Sequence, residues 1–105
     1  MRHPKLLEIL DAIAFAVGGT EVIIYGSQVR GDATEQSDID LMCFDTKLYH
    51  GLLPLIAALE EQHQVPITLQ WGNRSHYLKS KTAFWRSLRS QAVTIQDFLI
   101  SQYTN

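Results

Sequence analysis

Residues Tyr25 to Phe44 read Tyr-Gly-Ser-Gln-Val-Arg-Gly-Asp-Ala-Thr-Glu-Gln-Ser-Asp-Ile-Asp-Leu-Met-Cys-Phe. The stretch joins two apolar runs. Gly26-Ser27 closes the first and Asp38-Ile39-Asp40 opens the second, with ten residues between. A glycine at such an exit lets backbone approach a ligand closely, because no Cβ stands in the way. A serine at a helix start adds a hydroxyl to amides that favour an anion. Arg30, one turn further, reaches the same anion, and Gly31 permits a tight exit. On extended chain the side chains of Asp38 and Asp40 share one face, roughly 6–7 Å apart at the backbone. At that separation two carboxylates repel by about 2–3 kcal/mol at an effective dielectric near 20. A divalent cation turns this repulsion into a binding site. Magnesium suits it, because it takes one or two protein carboxylates and fills its shell with water and phosphate oxygens. Ser37 is placed to orient the pair. Neither half is specific alone. Joined, they describe a site for a nucleoside triphosphate with Mg2+.

Outward from this segment the chain alternates helix and strand. Pro4–Val17 reads as an amphipathic helix, with Leu6, Leu10, Ile13 and Val17 at spacings of three and four. Gly18 and Gly19 stop it. Glu21–Tyr25 and Ile39–Phe44 read as strands, with a short helix from Ser27 to Gly31 between them. A helix is expected over Leu52–Gln64, with Pro54 in its first turn. Val65–Trp71 is the third strand and Gly72-Asn73 a turn. Ser75 is expected to cap one helix over about His76–Ala92. Val93–Ile95 suggests an edge strand, and Gln96–Tyr103 a last helical turn or tail. The expected fold is α/β (α+β), a small mixed sheet flanked by helices, over a single domain 1–105.

Composition narrows the class. A net charge of −2 argues against a general nucleic-acid binder, which would be basic. The lone Cys43 excludes an internal disulfide; it reads as a buried, inert thiol in a protein of the reducing cytoplasm. Met1-Arg2-His3-Pro4-Lys5 imitates the start of a signal peptide, but Glu8 and Asp11 interrupt the apolar part. No apolar run approaches the length of a membrane span. There is no Gly-x-Ser-x-Gly elbow and no Gly-Lys-Ser/Thr P-loop. His3, His50, His63 and His76 lack zinc-ligand spacing. Arg30-Gly31-Asp32 spells an integrin-type tripeptide, which the surrounding motif explains better. Phe84, Trp85 and Leu88 read as core or interface residues. Lys79, Lys81, Arg86 and Arg89 read as a solvated face.

Gly26, Ser27, Arg30, Gly31, Ser37, Asp38, Asp40 and Leu41 together resemble the signature of the DNA polymerase beta-type nucleotidyltransferase superfamily. The segment is most similar to the small bacterial minimal nucleotidyltransferases, and the flanking helices extend the likeness over nearly the whole chain. The resemblance implies a small mixed sheet flanked by helices. It implies catalytic, metal-holding Asp38 and Asp40, and nucleotide binding by Gly26, Ser27, Arg30 and Ser37. It implies Mg2+ as cofactor and transfer of a nucleoside monophosphate, AMP from ATP, with pyrophosphate leaving. The acceptor docks from outside, and in the family the neighbour is often a HEPN-domain toxin for which the transferase acts as antitoxin. Self-association is left open. One position departs from the pattern. The family supplies a third carboxylate from the next strand, and here Thr68, with Gln70 on the same face, stands in that context. A weakened transferase that acts by binding its partner is therefore the alternative reading, and a nucleotide-sensing regulatory domain a weaker third.

Overall fold

A computed structural model describes residues 3–103; Met1 and Arg2 of the basic N-terminal segment, with residues 104 and 105, lie outside the described residues. Ten elements follow one another: α1 (Leu6–Val17), β1 (Val22–Tyr25), α2 (Ser27–Arg30), β2 (Ile39–Cys43), α3 (Thr46–His63), β3 (Ile67–Trp71), α4 (Arg74–Lys79), α5 (Ala83–Gln91), β4 (Val93–Thr94) and α6 (Ile95–Tyr103). The four strands form one mixed sheet in the order β3-β2-β1-β4. β1 runs antiparallel to β2 and β4, while β2 and β3 are parallel, linked through α3. The fold is thus the mixed α+β sheet flanked by helices that the sequence leads one to expect.

Strand alternation divides the side chains between two faces. Val22 and Ile24 of β1, Ile39, Leu41 and Cys43 of β2 and Ile67 of β3 point to one side. There they meet Leu6, Ile9, Leu10 and Ile13 of α1, Leu52, Ile56 and Leu59 of α3, and Ile95, Phe98 and Leu99 of α6 in the main core. Cys43 is buried here as a free thiol, and burial raises its pKa. On the opposite face Ile23 and Met42 form a smaller cluster with Leu88 of α5, flanked by Tyr25, Phe44, Tyr77 and Trp85. α4 and α5 therefore cover only part of this second face, and the site lies at its uncovered end.

Several boundaries differ from expectation, each for a local reason. α1 starts at Leu6, two residues after Pro4, and ends where Gly18, at φ 86°, turns its amide back to the Ala14 carbonyl. α3 begins at Thr46 rather than Leu52, because the Asp45 side chain caps it by accepting from the Leu48 amide at 2.9 Å. Pro54 consequently sits inside α3, not in its first turn. The expected helix over 76–92 is two helices. Asn73, not Ser75, caps α4 through the His76 amide, and the chain breaks at Ser80-Lys81-Thr82. Ser80 Oγ accepts from the Thr82 amide there, a local bond that competes with helical continuation. Arg89 is not on a solvated face: its guanidinium donates to the carbonyls of Tyr77 and Ser80 and closes the end of α4. α6 is a regular helix rather than a tail, tied to α1 by the Tyr103 hydroxyl donating to Asp11 Oδ2 at 2.8 Å.

Candidate functional site

Three strands bring one polar row together. Tyr25 of β1 is the register partner of Asp40 of β2, and Asp40 is the register partner of Thr68 of β3. All three side chains leave the sheet on the face that α5 partly covers. The turn after β1 then bends toward Asp40. Gly26 holds φ 80°, ψ −155°, and a Cβ built on it would stand 2.5 Å from Asp40 Oδ2. The glycine is therefore required twice, by its backbone conformation and by the carboxylate beside it.

A cleft of about 410 Å³ opens over this point. One wall is Tyr25, Gly26, Ser27, Arg30 and Asp40; the other is Phe84, Ser87, Leu88 and Gln91 of α5. The structure thus brings Gly26, Ser27, Arg30 and Asp40 into one lining. Asp38 precedes β2, is exposed and stays outside that lining, yet its charge raises the Asp40 pKa. Ser37 also stays outside. Its hydroxyl accepts from the Thr34 amide at 2.8 Å and fastens the 34–37 loop instead of orienting the aspartates.

Electrostatics mark the same spot. The Asp40 carboxyl is pushed above its ordinary range, first by burial and then by Asp38, with Arg30 opposing. The Tyr25 phenol is raised as well, by burial and then by Asp40. A half-buried carboxylate with a second acid nearby is an environment that a cation relieves. Asp38 and Asp40 are the acids that would hold a magnesium ion, whose other ligands would come from water and phosphate. Among the described residues no group of three or more His, Cys, Asp or Glu converges on a metal position.

Two glutamines that sequence reasoning passed over organise the site. Gln28, fully buried in α2, accepts from the His3 amide at 3.2 Å and donates to the Asp38 carbonyl at 3.4 Å. It ties the turn to the strand entrance. Gln91, at the end of α5, accepts from the Gly26 amide at 3.0 Å and from Arg30 Nη1 at 2.9 Å. Neither residue carries a sequence signal, since both act across long separations. The Tyr25 hydroxyl donates to Gln70 Oε1 at 3.3 Å, which places Gln70 on the site face as its spacing from Thr68 suggests.

A mixed sheet with a glycine turn set against a strand carboxylate, and a basic side chain at the same cleft, is the architecture of a nucleotide-transferring domain. The chain belongs to the nucleotidyltransferase domain family, whose model matches residues 6–83, well over half its length. That match ends at the start of α5. Among solved structures, the crystal structure of a toxin-antitoxin with AMP-PNP is similar to this chain at a TM-score of 0.53 and 16% identity. The likeness covers 93% of this chain and 86% of that one, and at such identity it concerns the fold alone. No curated protein matches the chain. Among the described residues no helix is long and apolar enough to cross a membrane.

Proposed function

We propose that residues 1–105 act as one transferase unit that moves a nucleoside monophosphate, AMP from Mg-ATP, onto an acceptor. The observation that carries this reading is the Asp40 carboxylate set 2.5 Å from where a Gly26 Cβ would stand, in a cleft that also takes Ser27 and Arg30. Gly26 and Ser27 face the triphosphate with backbone and hydroxyl donors. Arg30 offsets phosphate charge. Asp38 and Asp40 hold Mg2+, and Ser37 keeps the loop before them in shape. The ion, when bound, supplies positive charge to the phosphate oxygens. An acceptor oxygen attacks the α-phosphorus, the bond to the β-phosphate bridge oxygen breaks, and pyrophosphate leaves while the acceptor proton passes to solvent. Positioning and charge stabilisation carry most of such a transfer, so a small set of residues suffices.

The acceptor in this reading is a partner protein. Support comes from the fold neighbour, whose description names a toxin-antitoxin and AMP-PNP. A HEPN-domain toxin in the cytoplasm is the partner we assign. Incubation with labelled ATP, Mg2+ and such a partner is expected to shift the partner by the mass of AMP. Asp40→Ala is expected to abolish that shift; transfer that persists in the variant removes the assignment.

Thr68 favours a second reading. It stands beside Asp40 in the parallel pair, where the family resemblance calls for a third carboxylate. Neutralisation of the partner by Asp40→Ala, with full potency and no modification, would establish a weakened transferase that works by contact.

A further inference from the structure

The Gln91 side chain does something that its sequence position does not explain. Its Oε1 receives two donors, the Gly26 amide at 3.0 Å and Arg30 Nη1 at 2.9 Å. Its Nε2 donates to the Ser87 carbonyl one turn back, at 3.2 Å. These three contacts are mutually consistent and fix which end of the carboxamide is oxygen. An acceptor oxygen is thereby held between a glycine amide and a guanidinium, inside the cleft. That donor pair is what a phosphate oxygen requires, since backbone amides and Arg forks are its usual partners.

We propose that Gln91 Oε1 occupies the seat of a phosphate oxygen, and that a nucleoside triphosphate must displace it to bind. The proposal rests on the nucleotide-binding reading above and adds to it an internal competitor. Gln91 lies in α5, beyond residues 6–83 that the family model matches. Arg30 is held from a second side, its Nε donating to Asp32 Oδ2 at 3.3 Å. Departure of Gln91 therefore leaves the guanidinium anchored and its Nη1 open to the incoming anion. The Gly26 amide is released in the same motion. Because Gln91 ends α5, rotation of this one side chain, or a shift of the last turn, is enough to clear the seat.

The test is titration calorimetry on the full chain with Mg-ATP and, separately, with inorganic tripolyphosphate. Gln91→Ala is expected to bind both about five- to 150-fold tighter than the wild type, the range set by losing two competing hydrogen bonds. Gln91→Glu is expected to bind both at least about tenfold more weakly, because a carboxylate grips Arg30 more strongly and repels phosphate. Equal or weaker binding by a folded Gln91→Ala overturns the proposal. So does a gain confined to ATP, which would place the effect away from the phosphates. Melting curves establish that the variants fold. If Gln91→Ala does not, NMR of the wild type decides: the Gln91 carboxamide signals must shift at saturating tripolyphosphate, and signals that stay put overturn the proposal. Binding by the wild type without a gain in Gln91→Ala removes the competitor alone. No ATP binding by either protein removes the nucleotide reading and the seat with it.

Discussion

Gly26 and Asp40 are one unit at the residue scale. The glycine's φ of 80° with ψ −155° lies in a region almost reserved for glycine, which costs a residue with a Cβ about 1–3 kcal/mol. Gly26→Ala is therefore expected to lower stability by about that amount in urea denaturation. It is also expected to push the Asp40 carboxylate aside and abolish transfer, because the added methyl would sit against Oδ2. Asp40 has its own signature in pH. Its pKa is raised in the fold, by burial and then by Asp38. The folded protein thus keeps the proton at a pH where the unfolded chain has released it. Ionisation then costs stability as pH rises through that window, and the loss persists at neutral pH. Asp40→Asn removes the cost. It is expected to melt higher than the wild type at neutral pH, and at the same temperature once the wild-type Asp40 is protonated in both the folded and the unfolded chain, below about pH 3. A variant that melts lower than the wild type at neutral pH would contradict this account of the site.

Elements decide how precisely that unit is held. α2 is a single turn, so its direction comes from Gln28 beneath it and Gln91 across from it rather than from helical length. α5 keeps its place through Leu88, which is buried against Ile23 and Met42, and through the Arg89 bonds to the end of α4. α3 carries a cost in its middle. Pro54 lacks an amide to give to the turn before it, and its ring is exposed, so it adds no core packing in return. An interior proline costs a helix about 3 kcal/mol. Pro54→Ala is expected to raise stability by about 1–3 kcal/mol, read from the urea midpoint. Transfer should not change, since α3 packs on the face of the sheet opposite the cleft.

At the scale of the whole molecule the sheet separates stability from chemistry. One face packs against α1, α3 and α6 and holds the main core. The other is half covered by α4 and α5, and the exposed half presents Tyr25, Asp40 and Thr68 in one cross-strand row. This row makes the Thr68 question testable. Thr68→Asp puts a third carboxylate next to Asp40. Without a cation it is expected to destabilise the protein at neutral pH through like-charge repulsion across the strands. With Mg2+ that loss should reverse, and transfer should rise by up to about 10²-fold, the lower end of what general-base assistance supplies. Melting temperature with and without Mg2+ gives the first readout, and labelled ATP the second. A melting temperature that ignores Mg2+ in this variant would mean that Thr68 does not face the metal position.

Much of this was legible in the chain. Residues 22–25 and 39–43 announce strands by β-branched and apolar runs, and the Gly-Ser and Asp-x-Asp pairs at their ends announce a cleft. Local chemistry suffices there, because a turn glycine and alternating side chains act over a few residues. The start of α3 was also encoded locally, in Asp45, but capping by one side chain is a faint signal beside a proline. The division of α4 from α5 depended on Arg89, and a helix end stabilised from nine residues further along leaves no pattern in a hydrophobic period. Gln28 and Gln91 were invisible as site residues, since a glutamine has no position until the fold supplies its partners. Local chemistry in the chain set the glycine turn and the sheet face on which Asp40 stands, for these follow from backbone geometry over neighbouring residues. Tertiary structure alone decided that α5 would close one side of the cleft, that Asp38 and Ser37 would stand outside it, and that Gln91 would bond both the Gly26 amide and Arg30. Those outcomes depend on where distant segments come to rest once the two faces of the sheet are buried.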